Sequence, residues 1–271
     1  MAFLTLDHVS HHYFSEKSYT KALEDITFSV DEGEFVALLG PSGCGKSTIL
    51  SIISGIISQT EGSVLLNKTP ILKSTMAIGY MLQQDYLFPW KTIMDNVCMG
   101  PKIMGTKTVS TTQKAEDLLE EVGLTNISST YPDALSGGMR QRVALVRTLM
   151  TDPKVLLLDE PFSALDYLTK LKLENLVSKL LKEYNKTALL VTHDIGEAIS
   201  MSDRIIVMDA NPGKIAKCFE VPIELRNEEP FWVRRHPKYH VLFEKVWNEL
   251  NKDDTISSTQ KEVESHNETK D

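Results

Sequence analysis

The run Gly40-Pro41-Ser42-Gly43-Cys44-Gly45-Lys46-Ser47-Thr48 is a glycine-punctuated loop that ends in a lysine and two hydroxyls. Glycines let main-chain amides turn inward with no Cβ in the way, and inward amides grip phosphate oxygens. A helix opening at such a loop adds the positive end of its dipole. At this spacing Lys46 reaches the β- and γ-phosphates, and Ser47 offers a hydroxyl to Mg²⁺. The loop therefore predicts binding of a nucleoside triphosphate. Further on, the apolar run Val155-Leu156-Leu157-Leu158 ends in Asp159 and Glu160. Four apolar residues bury a strand, and the carboxylates emerge at its C-terminal end, the edge at which α/β sheets bind ligands. Asp159 is expected to hold Mg²⁺ through water. Glu160 is expected to polarise the attacking water or take its proton. A second glycine turn, Leu135-Ser136-Gly137-Gly138-Met139-Arg140-Gln141, lies between loop and carboxylates.

These residues need elements to position them. The segment Glu34-Phe35-Val36-Ala37-Leu38-Leu39 reads as a buried strand running straight into the loop, and a helix is expected over 46–57. Residues 62–67 and 78–82 read as further strands. From about 86 to 152 the pattern turns helical; Ala115, Leu118, Leu119 and Val122 share one helix face. Strand character returns at 154–159, 187–192 and 204–208, with a helical stripe over Leu173, Leu176, Val177, Leu180, Leu181 and Tyr184 between them. Strands alternating with helices predict a largely parallel sheet covered by helices. Pro237 precedes a last stripe, Tyr239, Leu242, Phe243, Val246, Trp247 and Leu250, read as a helix packing on its own core. Residues 1–251 are expected to form one ATP-binding unit. Residues 252–271 read as a disordered polar tail.

Composition narrows the class. The 271 residues are 42% hydrophobic and 24% charged, which suits a globular chain with a sizeable core. The formal net charge of −8 argues against nonspecific binding to nucleic acid. No apolar run approaches the roughly 18 residues of a membrane span. The first residues lack a secretion signal, so the chain is expected to remain in the cytoplasm. Three widely spaced cysteines, Cys44, Cys98 and Cys218, form neither a disulfide framework nor a metal site. Cys44 is read as a small residue that fits the loop. His8, His11 and His12 fall on alternate strand faces with no carboxylate in the pattern, which argues against a metal. Arg140, Arg142 and Arg147 are expected to cap and pair within the helical stretch, and Arg234-Arg235 to lie in a solvated turn.

Taken with Ser163-Ala164-Leu165-Asp166 and His193, these motifs make the chain resemble the ATP-binding subunit of an ABC transporter. The resemblance spans about residues 3 to 250. It implies an α/β phosphate-loop (RecA-like) ATPase core, an N-terminal antiparallel β subdomain and an inserted α-helical subdomain. It implies hydrolysis of ATP to ADP and phosphate with Mg²⁺. It also implies a head-to-tail homodimer. Each ATP would lie between Gly40–Thr48 of one subunit and Ser136, Gly137, Gly138 and Gln141 of the other, with Asp166 across the seam. Gln83 matches the glutamine that contacts Mg²⁺ and water and senses the membrane partner; its spacing to Leu87-Phe88-Pro89-Trp90 favours it over Gln84. His193 matches the switch histidine at the γ-phosphate, and Tyr13 the aromatic that stacks on adenine.

The run Gln83 to Thr92 is similar to the importer branch that handles nitrate, sulfonates and taurine, and thiamine-precursor systems also resemble it. That branch implies transmembrane permease subunits, indirectly an extracytoplasmic solute-binding protein, and a place on the cytoplasmic face of the membrane. Phe88 and Trp90 would suit a groove for a permease helix. Asp133-Ala134 departs from the histidine or glutamine common before the signature. A soluble ABC ATPase that remodels a protein complex is the alternative that shares these motifs.

Overall fold

The computed structural model describes residues 2–14, 18–73, 75–163 and 165–252. The tail beyond Lys252 and Ala164 lie outside the described residues. Among the described residues, ten strands form two sheets. They are β1 (Ala2–Phe14), β2 (Tyr19–Asp31), β3 (Phe35–Leu39), β4 (Glu61–Leu66), β5 (Thr69–Pro70), β6 (Ile78–Met81), β7 (Val155–Asp159), β8 (Thr187–Thr192), β9 (Arg204–Asp209) and β10 (Lys214–Glu220). The smaller sheet runs β2-β1-β4-β5 with antiparallel neighbours. The larger runs β10-β9-β3-β8-β7-β6 and is parallel except at β10.

Register does the positioning. Leu39 lies opposite Thr192, and Asp159 opposite Val191. The C-terminal ends of β3, β7 and β8 are therefore level. The loop after β3, the carboxylates after β7 and the histidine after β8 emerge at one edge.

The central strands β3, β7 and β8 are buried along their whole length. Both faces of a parallel sheet are covered, so such strands read as continuous apolar runs. Alternation still sorts their side chains. Val36, Leu38, Leu157, Leu189 and Val191 pack with Ile49, Leu50, Ile52 and Ile53 of α1 (Lys46–Ile53) and with Leu4, Leu6 and Ile26 of the small sheet. Ala37, Leu39, Leu156, Leu158, Ala188 and Leu190 face the other helices. Each fully buried Ile or Leu contributes about 1.5–3 kcal/mol relative to exposure. Helix α1 stops four residues short of the expected Ile57. Gly55 takes φ +76°, a left-handed conformation that ends the helix.

Between β6 and β7 lie α2 (Ile93–Val97), α3 (Met99–Ile103), α4 (Val109–Glu121) and α5 (Gly137–Leu149). Thr108 and Thr111 cap α4 reciprocally, and its stripe Ala115, Leu118 and Leu119 is buried. After β7 come α6 (Tyr167–Glu183), α7 (Ile195–Met201), α8 (Ile223–Arg226), α9 (Pro230–Val233) and α10 (Pro237–Leu250). Tyr239, Leu242 and Val246 bury the inner face of α10. Arg234 and Arg235 lie in a turn, as expected, and Arg235 is exposed, but Arg234 is not solvated. Arg234 is drawn inward by the fully buried Glu174 at 2.9 Å, and Arg235 lies over the Trp232 ring at 4.8 Å. His8 does meet a carboxylate, Asp25, at 2.6 Å across the hairpin. No group of three or more metal-capable side chains occurs among the described residues.

Candidate nucleotide site

An open groove of about 300 Å³ lies at the sheet edge, lined by Tyr13, Lys21, Ala22, Ser42, Gly43, Gly45–Thr48, Glu160, Asn211 and Pro212. Its floor is the loop. Gly43 and Gly45 have φ of +82° and +89°, which L side chains rarely adopt, and Gly45 leaves no room for a Cβ against Leu23. The loop thus turns its main chain toward the groove and opens α1 there. Lys46 is nearly buried; its ammonium donates to the carbonyls of Gly40 (2.7 Å) and Pro41 (2.9 Å). Cys44 has no exposure, and burial pushes its thiol pKa up. It fills space against Gly40, as a small residue should.

The carboxylates stand where the register places them. Ser47 Oγ donates to Asp159 Oδ1 (3.2 Å), and the Tyr80 hydroxyl donates to Oδ2 (3.2 Å). Burial raises the Asp159 pKa despite these bonds. Glu160 is held at φ +44°, with its amide on the Val191 carbonyl. A non-glycine residue there stores strain of a kind common at functional sites. Around its carboxylate, Gln83 Nε2 donates to Oε2 (3.1 Å) and His193 Nδ1 lies 3.2 Å from Oε1. The structure therefore brings Lys46, Ser47, Asp159, Glu160, Gln83 and His193 together. Tyr13 stands at the groove's rim with its hydroxyl 3.3 Å from Thr48 Oγ1 and its ring edge-on to His11.

The second glycine turn is elsewhere. Ser136 caps α5 by accepting from the Met139 amide, and Ser136 and Gly137 are exposed. None of Ser136, Gly137 and Gly138 lines the groove. Gly138 instead packs on α6, where a Cβ would come within 2.7 Å of Thr169. Asp166 is exposed and caps α6 through the Thr169 amide. Gln141 parts from its neighbours: it is buried and donates to the Gln83 carbonyl of its own chain (3.0 Å).

Sequence reading missed several contributors. Lys21, Ala22, Asn211 and Pro212 line the groove because Gly213 and Ala22 are hydrogen-bonded across the fold. Buried Asn96 holds the turn after Gln83, accepting from the Phe88 amide and donating to the Phe88, Lys91 and Thr92 carbonyls. Arg147 donates to the carbonyls of Asp85 and Tyr86. The turn leaves Tyr86 and Trp90 exposed, while Leu87 is buried. A lone Asn or Arg carries no local signal of such work.

Residues 23–163 match the family described as ABC transporter. The chain belongs to that family and is one of its ATP-binding ATPase subunits. An uncharacterized ABC transporter ATP-binding protein of Bacillus subtilis, YtlC, is 55% identical over 93% of this chain and 96% of its own length. The taurine import ATP-binding protein TauB of Roseobacter denitrificans is 40% identical over 85% and 87%. A solved ATP-binding cassette, a dimer in a post-hydrolysis state bound to ADP and Pi, superposes with a TM-score of 0.72 at 31% identity. That match covers 81% of this chain and 99% of the other. No helix among the described residues is long and apolar enough to cross a membrane.

Proposed function

We propose that the chain is the energy-coupling subunit of an importer for a small solute of the nitrate, sulfonate or taurine kind, working as a head-to-tail pair. One observation carries this reading. The groove holds the phosphate loop and Glu160, with Asp159 behind it on Ser47 and with Gln83 and His193 at Glu160, yet Ser136, Gly137 and Gly138 present hydroxyl and amide donors away from it. A groove so built is completed by donors from a second copy. The relatives named for taurine import support the solute class.

In this reading, amides of Gly43–Thr48 and the Lys46 ammonium hold the phosphates, and Tyr13 packs on the base. Glu160 receives a proton from the attacking water, while Gln83 and His193 fix its carboxylate. Ser136 and Gly138 of the partner stabilise charge on the γ-phosphate. The residues present fit Mg²⁺: a hydroxyl and a carboxylate lie 3.2 Å apart, both hard oxygen donors, with the Gln83 side chain on neighbouring Glu160. The raised Asp159 pKa marks a buried carboxylate that a cation would steady. Bound there, the ion would neutralise phosphate charge. The turn with Phe88 and Trp90 would receive a permease helix at the cytoplasmic face of the membrane, with an extracytoplasmic binding protein delivering solute beyond.

Glu160→Gln tests the chemistry. It should keep ATP affinity within about threefold and lose about 100-fold or more in turnover. It should also accumulate as an ATP-bound dimer. A monomer with parental turnover would remove Glu160 from its role. Co-purification from gently solubilised membranes should bring down a polytopic permease; only soluble partners would favour a complex-remodelling ATPase.

A further inference from the structure

The His193 side chain is 63% exposed, with its Nδ1 3.2 Å from Glu160 Oε1. A ring so exposed takes its aim largely from its main chain. Both flanking residues are pinned. The Thr192 hydroxyl accepts from the Asp194 amide and donates to Glu197 Oε2. The Asp194 carboxylate caps α7 through the Glu197 amide. Those two carboxylates converge on one cation: Lys170 Nζ lies 2.6 Å from Asp194 Oδ2 and 2.5 Å from Glu197 Oε1. Glu197 is 3% exposed, so its charge has little water to rely on. The surrounding charges do not replace Lys170. Arg234 follows α9 and is committed elsewhere: Nη2 donates to Glu174 Oε1 (3.1 Å), and Nη1 donates to the Pro230 carbonyl and lies 2.9 Å from Glu174 Oε2. The cluster of Lys170 and Arg234 against Asp194, Glu197 and Glu174 is one positive charge short.

We propose that Lys170 is a positioning residue for His193: clamped by Asp194 and Glu197, its ammonium holds the Thr192–Asp194 turn that aims the imidazole at Glu160. The inference rests on the hydrolytic role proposed for that pair. Lys170 lies on α6, one turn after the capping Asp166 and next to Thr169, which packs on Gly138. The His193 turn is thereby tied to the first turn of the helix on which the signature also rests. A lysine suits the task because its three donors can serve two carboxylates at once, and the pair in turn holds the lysine in its charged form against the cost of burial.

The test uses the full chain in four versions: parent, Lys170→Met, Lys170→Arg and Lys170→Met/Glu197→Gln. The last leaves no buried carboxylate unpaired if Lys170→Met alone folds poorly. The first readout is ATP affinity against kcat. Lys170→Met or the double variant should lose tenfold or more in kcat with ATP affinity within threefold, and Lys170→Arg should return to within threefold of the parent. The second readout needs no turnover. In spectra of ¹³C-histidine-labelled protein, the His193 Cε1–H peak, assigned by its loss in His193→Ala, should shift in the methionine variants and stay in place in Lys170→Arg. An unmoved peak, or kcat within twofold of the parent, overturns the inference. A parent chain that hydrolyses no ATP while the peak still shifts overturns the hydrolytic reading alone.

Discussion

Gly137 and Gly138 are adjacent, yet adding one methyl to each should change stability in opposite directions. A Cβ on Gly138 would sit 2.7 Å from Thr169 Cγ2 and 3.7 Å from Leu165 Cδ2. Carbon atoms settle at about 3.5–4.0 Å, so Thr169 must move. It is β-branched, with few rotamers to move into. Such overpacking costs about 2 kcal/mol. Alanine in a helix returns about 0.8 kcal/mol relative to glycine. The net loss is about 1 kcal/mol, or about 2–4 °C in Tm for a chain of this size. A Cβ on Gly137 meets nothing closer than Arg140 Nη2 at 3.9 Å. Gly137→Ala keeps the helix gain and should melt at or slightly above the parent. Thermal unfolding followed by circular dichroism reads both. Replacing Thr169 with serine deletes the offending methyl, so Gly138→Ala/Thr169→Ser should recover to within about 0.5 kcal/mol of the parent. If the double variant melts as low as Gly138→Ala, or both glycine variants shift alike, the packing argument fails. Turnover separates from stability here: both alanines should depress ATP hydrolysis, because both crowd the donors offered to a partner.

Other residues give sharp expectations. The Asp159 pKa is raised above 3.8, so ionisation costs the folded state; that cost is absent below about pH 3.8 and complete above the raised value. Asp159→Asn should therefore raise Tm at pH 7, with the gain shrinking toward pH 4, while hydrolysis is lost; a lower Tm at pH 7 would contradict it. Asn96→Ala takes the acceptor from the Phe88 amide and the side-chain donor from the Lys91 carbonyl, while the Phe88 and Thr92 carbonyls keep the Lys91 and Asn96 amides. It should cost about 2 kcal/mol and lower Tm by about 4–8 °C, and a loss under about 0.5 kcal/mol would refute the clamp.

Much of this could be read from residue order because the responsible forces are local. The loop's glycines set its turn, the apolar runs of β3, β7 and β8 follow from burial on both faces, and the Ala115–Leu119 stripe fixes the buried side of α4. Parallel pairing then carried Asp159 and His193 to one edge. What escaped depends on partners distant in sequence. Asn96 and Lys170 look like ordinary surface polar residues until the fold brings main-chain carbonyls or carboxylates to them, and Arg147, expected to cap and pair among the helices, reaches back to the Asp85 and Tyr86 carbonyls. Arg234 looked solvated because Glu174 is sixty positions away in the chain, on another helix. Gln141 sits in the signature by spacing, but the helical period turns it inward onto Gln83.

The central claim is that each ATP is enclosed by the loop of one copy and the signature of the other. Mixing tests it most directly. Lys46→Ala disables the loop and spares the signature; Gly137→Val, where a side chain has open space, disables the signature and spares the loop. Each alone should be nearly inactive. In an equimolar mixture about half the dimers are mixed, each with one complete site, so about a quarter of parental ATP hydrolysis should return. A mixture as inactive as its components would mean that loop and signature act within one chain, and would contradict the account.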